Sequence, residues 1–226
     1  MKVPRLHAWN LTPKNAVSLQ RELAGKIDST SPLGKCDLFA GADVSCNRFA
    51  STIFAGVVVW RASDGVVIER QSVVAETDFP YVPGLLTFRE APALIRAFRK
   101  LQSVPDVVLV DGQGFAHPRR IGLAAHVGLC LGVPTVGCAK TRLCGRFDPP
   151  AEIAGSTSRL LDRDEVIGSL VRTKARSNPL FVSPGHRIDV AGAVRAVLAG
   201  VRGYRLPEPT RLALLFVNEE RRKRLG

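Results

Sequence analysis

No stretch of this 226-residue chain is apolar for long enough to span a membrane. The opening segment Met1–Asn10 also lacks the apolar centre of a signal peptide, so secretion is not expected. The cysteines, Cys36, Cys46, Cys130, Cys138 and Cys144, are odd in number and include no Cys-x-x-Cys pair. That pattern argues against both a disulfide framework and a zinc site. Reduced, mostly buried thiols in a cytoplasmic protein are the expectation. Internal repeats and low-complexity linkers are missing too. The economical organisation is therefore one α/β domain over residues 1–226.

Acid is also scarce: 20 Asp and Glu face 32 Lys and Arg, for a net charge of +12. Such an excess favours a polyanionic partner. The cations recur along the chain as Arg119-Arg120, Lys140 with Arg142 and Arg146, Lys174 with Arg176, and Arg202 with Arg205. The closing Arg221-Arg222-Lys223-Arg224 carries less information, because a charged tail is usually just solvated. No basic amphipathic helix stands out for a membrane surface, so nucleic acid is the favoured partner.

What is present patterns as a mixed α/β chain. Thr12-Pro13 followed by Ala16, Leu19, Leu23 and Ile27 predicts a capped amphipathic helix, with Gly25 weakening its last turn. Extended runs over 38–46, 53–60 and 66–75, the last two joined at Ser63-Asp64-Gly65, predict an antiparallel meander. In the first run Leu38, Ala40, Ala42 and Val44 share one face, and Phe39, Gly41 and Asp43 the other. A proline-stiffened loop, Asp78 to Gly84, precedes a helix over 88–101. Strand 107–111, helix 119–131 and strand 135–138 then form a βαβ unit with parallel strands. Strands over 166–172 and 180–182 and a helix over 189–198 complete the reading.

Asp111 is the most informative residue. It ends the apolar run Val107–Val110 and precedes Gly112-Gln113-Gly114. A carboxylate at the mouth of an interior strand reads as a ligand, with glycines letting backbone approach a substrate; capping of the next helix is the alternative. Lys140 follows the second parallel strand, so it shares this sheet edge, roughly 5 Å away if the strands are adjacent. There a lysine can offset phosphate charge and a carboxylate can hold Mg²⁺, or the two can simply pair. Asp43 interrupts an apolar strand and needs a partner: a cation shared with Asp111, an arginine, or a wet strand end. Glu90 fits a capping box with Thr87, although Pro92 weakens that fit. Two aspartates and a glutamate supply the hard oxygens that metal-assisted phosphodiester hydrolysis needs. His117-Pro118-Arg119-Arg120, at the predicted helix start, suits an anion. His126 reads as a packed core histidine, and His186 lies in Ser183-Pro184-Gly185-His186, a predicted loop.

Taken in order, several blocks resemble the endonuclease V (deoxyinosine 3′ endonuclease) family over nearly the whole chain. They are Gly41-Ala42-Asp43-Val44, Pro80-Tyr81-Val82-Pro83-Gly84, Phe88-Arg89-Glu90, Val110-Asp111-Gly112-Gln113-Gly114, His117–Arg120, Ala139-Lys140 with Arg142-Leu143, Ser183–His186 and Tyr204–Arg211. The resemblance implies a ribonuclease H-like fold: three antiparallel strands, then parallel βαβ strands, flanked by helices. It implies a DNA repair endonuclease dependent on Mg²⁺, with Mn²⁺ able to substitute, that nicks the second phosphodiester bond 3′ to deoxyinosine and related deaminated bases. Asp43 and Asp111 are then metal ligands, and Glu90 binds through water or orients the attacking water. Lys140 stabilises developing charge or helps position water, and Tyr81 is a wedge. The flipped base is read by Gly84, Gly112, His117 and Leu143. DNA containing deoxyinosine is the implied partner, met by a monomer. Inosine-containing RNA is the near alternative. Leu214 departs from the family, which usually has His or Asp there. That departure puts a second metal position in question and keeps open a deaminated-base binder that cuts weakly.

Overall fold

The computed structural model describes residues 1–47 and 50–225. In chain order the elements are α1 (Pro13–Ala24), β1 (Leu38–Cys46), β2 (Thr52–Arg61), β3 (Val67–Glu76), α2 (Leu86–Lys100), β4 (Val107–Val110), α3 (Leu123–Leu131), β5 (Thr135–Ala139), β6 (Thr157–Asp162), β7 (Glu165–Val171), β8 (Leu180–His186), α4 (Val190–Ala199) and α5 (Glu208–Leu225). The strands form one sheet in the order β3-β2-β1-β4-β5-β8-β7-β6. β1, β2 and β3 are the expected antiparallel meander, and β1, β4 and β5 run parallel. β8, β7 and β6 extend the sheet antiparallel beyond β5.

The alternation in β1 sorts the two layers. Ala40 and Ala42 are fully buried in one core with Ala91, Leu94 and Phe98 of α2 and Ala124 and Val127 of α3. Phe39 buries on the opposite side with Trp60, Leu109, Val136 and, from α4, Ala193 and Val197. The site is positioned by a mismatch in strand length. β4 ends at Val110, opposite Ala42, and the Asp111 amide donates to the Ala42 carbonyl at 3.1 Å. β1 continues to Cys46 with β2 as its partner. Asp43 therefore lies at the step where the parallel pairing stops.

α5, a helix the sequence reading missed, flanks that step. A Cβ on Gly41 would lie 1.8 Å from the Pro209 carbonyl oxygen, so only glycine lets the start of this segment close on β1. Ser45 donates its hydroxyl to Asn218 Oδ1 at 2.7 Å. The helical stretch Pro209–Asn218 rises about 13.5 Å, and Gly41–Ser45 spans about 13 Å of strand. The helix therefore tracks β1 in the same direction and brings Ala213 and Leu214 opposite Asp43.

Several boundaries differ from expectation, each for a local reason. α3 begins at Leu123 behind Gly122, so His117–Arg120 is irregular backbone, not a helix start, and Arg120 has φ 57°. Ser183–His186 is not a loop: it is the buried second half of β8, paired to β5 through an irregularity at Thr135/Val136. Of the cysteines, Cys130 and Cys138 are buried, whereas Cys36, Cys46 and Cys144 are only partly so. No helix among the described residues is long and apolar enough to cross a membrane.

Gly41→Ala is expected to lower the unfolding free energy by about 3 kcal/mol, because the clash is with backbone and cannot be relieved by a rotamer change. The shift of the urea midpoint at constant slope measures it.

Candidate active site

Asp43, Glu90 and Asp111 converge at the end of β4, the grouping that the family resemblance implies. Asp43 is only 7 % exposed, and among the described residues no arginine pairs with it. Burial first, and then the Asp111 charge, push its carboxyl up to about 7; Lys140 pulls the other way. Glu90 is likewise pushed up to about 7, by burial and then by Asp43, with Arg89 opposing. The two acids thus feel each other and Asp111, although they come from β1, α2 and the end of β4. Lys140, just past β5, forms an ion pair with Asp111 Oδ2.

The capping role for Glu90 does not hold. α2 starts one residue before Thr87, its N-cap is Leu85, and no side chain caps it. Thr87 lies inside the helix, its buried hydroxyl without a hydrogen-bond partner among the described residues. Glu90 is left to face the other acids. Beside it Arg89 is buried and donates to the carbonyls of Phe79, at 2.7 Å, and of Ala50. Arg89 so anchors the start of the proline-bracketed loop to the helix that carries Glu90.

A cavity of about 460 Å³ opens against this cluster. Glu90, Asp111 and Lys140 line it, and so do the other residues expected at the site: Tyr81, Gly84, Gly112, His117 and Leu143. Asp43 is the one site residue outside its wall. Tyr81 and Leu143 are each over a third exposed. His117 is buried, and burial first holds its imidazole down at about 4, so it is neutral near pH 7. Gly114 serves another purpose than substrate approach: a Cβ there would meet the Pro184 carbonyl oxygen at 2.1 Å, so this glycine lets β8 pack.

Sequence reasoning missed the residue that ties the cavity together. Gln20 of α1 is fully buried and donates to the carbonyls of Gly84, at 3.1 Å, and Ile121, at 3.2 Å. Its Oε1 accepts from Arg119 Nε at 2.6 Å. The Gly84 carbonyl also meets Arg119 Nη2 at 2.8 Å and His117 Nε2 at 3.0 Å. Gly84, with φ 78°, is thus clamped by α1 and by the loop before α3. A polar residue on the stripe between Ala16 and Leu23 was the available signal. The pair Arg119-Arg120 divides its labour, since Arg120 turns to Asp162 at 2.8 Å and Glu165 at 2.7 Å.

The three carboxylates offer hard oxygen donors, and a divalent cation among them would relieve the repulsion that raises Asp43 and Glu90; the residues present fit such an ion. A second donor group is chemically different. His7, His126 and Cys130 bring ligand atoms within 4.8 Å of one another. Their nitrogen and sulfur donors do not suit Mg²⁺. His126 is buried there as expected, its Nε2 2.6 Å from that of His7 and its ring 4.9 Å from that of Trp9.

A mixed sheet of this order with carboxylates at the mouths of its parallel strands defines a ribonuclease H-like nuclease fold. The endonuclease V family model matches residues 21–215. Endonuclease V of Gloeobacter violaceus is 50 % identical over 222 residues, covering 97 % of this chain and 90 % of the relative. The endonuclease V structure from Streptomyces avermitilis superposes with a TM-score of 0.91 at 35 % identity, covering 97 % of each chain. That of Ciona intestinalis, in complex with a 24mer DNA containing an inosine followed by a ribo-adenosine, gives 0.81 at 24 % identity, over 93 % of this chain and 98 % of that one. The chain belongs to the endonuclease V family.

Gln20→Ala strips donors from two buried carbonyls and an acceptor from Arg119. A loss of about 1–3 kcal/mol in unfolding free energy is expected, measured by denaturant titration. A stability within experimental error of the parent contradicts the clamp.

Proposed function

We propose that the protein is a divalent-cation-dependent repair endonuclease that nicks DNA at the second phosphodiester bond 3′ to deoxyinosine. The observation that carries this reading is the junction of the Asp43, Glu90 and Asp111 cluster with a cavity bordered by Tyr81, Gly84, Gly112, His117 and Leu143. Cleavage chemistry and a base-sized cavity are then adjacent.

Asp43 and Asp111 would hold Mg²⁺, or Mn²⁺ in its place, and Glu90 would hold or orient the attacking water. When bound, the cation supplies Lewis acidity at the phosphate and lowers the pKa of water. Lys140, paired with Asp111 in the structure, is placed to meet charge developing on the phosphate. Such an electrostatic contribution is commonly on the order of 10²–10³ in rate. Tyr81, on a tip stiffened by Pro80 and Pro83, fills the stack when the base leaves it. His117, neutral, with Nε2 on the Gly84 carbonyl and Nδ1 accepting from the Arg119 amide, shapes the wall of the base cavity without adding charge. Binding of the duplex draws on the excess of positive charge and weakens as salt rises.

The test is nicking of matched duplexes with and without one deoxyinosine, alongside an inosine-containing RNA strand, in Mg²⁺, Mn²⁺ and chelator. A metal-dependent nick one nucleotide beyond deoxyinosine is expected. Asp43→Ala and Asp111→Ala are each expected to abolish it while keeping most of the affinity for plain duplex. Normal cutting by both variants refutes the metal assignment. Leu214, apolar and opposite Asp43, offers no oxygen or nitrogen to an ion. Leu214→His is expected to raise the Mg²⁺-dependent rate and shift the Mg²⁺ concentration at half-maximal activity; unchanged values of both count against a role for this position.

A further inference from the structure

Two residues past Asp43, on the same face of β1, Ser45 is buried against α5. One turn beyond Asn218, Arg221 donates to Ser45 Oγ at 3.1 Å and to Asn47 Oδ1 at 2.5 Å. Both acceptors are neutral, and among the described residues no carboxylate forms an ion pair with Arg221. Arg120 and Arg211 show the contrast: each is bound to carboxylates that cancel its charge. Arg221 is ordered by its two oxygens, remains partly exposed, and keeps a whole charge to offer. A planar guanidinium in that condition fits a phosphodiester.

Its position gives the ligand a direction. The cavity is built from residues that follow β4 and β5, such as Gly112 and Leu143. Arg221 lies on the far side of the acids, over the overhanging end of β1. A strand with its base in the cavity and a phosphate at Asp43 and Asp111 therefore runs from β5 towards β1. Ser45 is about 7 Å beyond Asp43 along the strand, on the scale of one nucleotide step.

We propose that Arg221, seated on Ser45 and Asn47, is a binding subsite for a phosphodiester of the nicked strand on the 3′ side of the scissile bond. This rests on the nuclease reading above, because the cut 3′ to the base makes the strand leaving over β1 the 3′ one. The sequence had marked Arg221–Arg224 only as a solvated tail. Arg222, Lys223 and Arg224 are exposed, and Lys223 pairs with Glu219 and Glu220.

The experiment uses the full chain and deoxyinosine duplexes in which one neutral methylphosphonate replaces each linkage 3′ of the cut in turn. Affinity is measured in chelator across a salt series, and nicking in Mg²⁺. For the parent, one 3′ linkage is expected to cost about tenfold in affinity when neutralised. Arg221→Ala should bind the unmodified duplex about tenfold more weakly, ignore that modification, and lose roughly one from the salt slope. Arg222→Ala removes the same charge from an exposed position and should retain the linkage-specific penalty. Asn47→Ala, which takes away one anchor from the surface, should show part of the Arg221→Ala loss and guards against a folding defect in that variant. Retention of the parent's linkage-specific penalty in Arg221→Ala, with parent nicking intact, overturns the subsite alone. Failure of the parent to distinguish deoxyinosine from plain duplex in binding or nicking overturns the nuclease reading and the subsite with it.

Discussion

Three carboxylates crowd together beside a cavity, and much of the architecture exists to make that tolerable. Asp43 and Glu90 are both held near a carboxyl pKa of 7, with burial as the first cause and neighbouring acid as the second. Left alone, such groups favour protonation or water, and either outcome loosens a core. They stay together because each comes from an element fixed for other reasons. β1 is central in the sheet, α2 is locked to it by Ala91, Leu94 and Phe98, and Asp111 ends a strand with all four residues buried. Repulsion is thus held within a rigid frame, and a small divalent cation would relieve it.

The frame pays attention to which side of the acids remains open. On one side α5 closes over β1, made possible by Gly41, and presents Leu214. On the other the chain leaves β4 and β5 as loops that enclose a cavity. The Gly84 carbonyl is gripped by Gln20, His117 and Arg119, so the cavity wall is bound to α1, which lies early in the chain. Arg205 donates to the Lys140 carbonyl at 3.3 Å and to that of Asn178 at 2.8 Å, fixing the backbone from which Lys140 extends. The reactive side chains are few, but the residues that aim them are spread across the whole sequence.

That dispersal explains what could be read from the sequence alone. β1 to β5 were legible because apolar runs and a Ser-Asp-Gly hairpin carry their own signal, and Asp43 and Asp111 were legible because one interrupts an apolar run and the other ends one; Glu90, which fits a capping box locally, was drawn in only by the family resemblance. Ordered motif blocks then tied them to a family. The losses have physical causes. Pro184 and Gly185 look like a loop, yet β8 accepts them where its pairing with β5 is irregular. β6 is a half-exposed edge strand with little alternation to see. α3 begins four residues later than the basic pair suggested, because Arg119 and Arg120 are used by tertiary partners. Gln20 was passed over since its only local signal is a polar side chain on the buried stripe between Ala16 and Leu23; the carbonyls it meets, more than sixty residues away, reveal its use. α5 mixes an apolar centre with charged ends, so composition pointed to a tail.

The two ends of α5 therefore have opposite electrostatic tasks. Opposite Asp43 it offers Leu214, which can neither neutralise the acids nor hold an ion for them. Charge balance in the cluster has to come from Lys140 across the sheet edge or from a cation in solution. Farther along, Arg221 carries a positive charge that the acids do not consume, because Ser45 and Asn47 hold it at the overhang of β1. Had that arginine stood at position 214, it would have paired with Asp43 and competed with any cation there. Seven residues further on, about two turns of helix, it is close enough to act on the strand being cut and too distant to compete for the site.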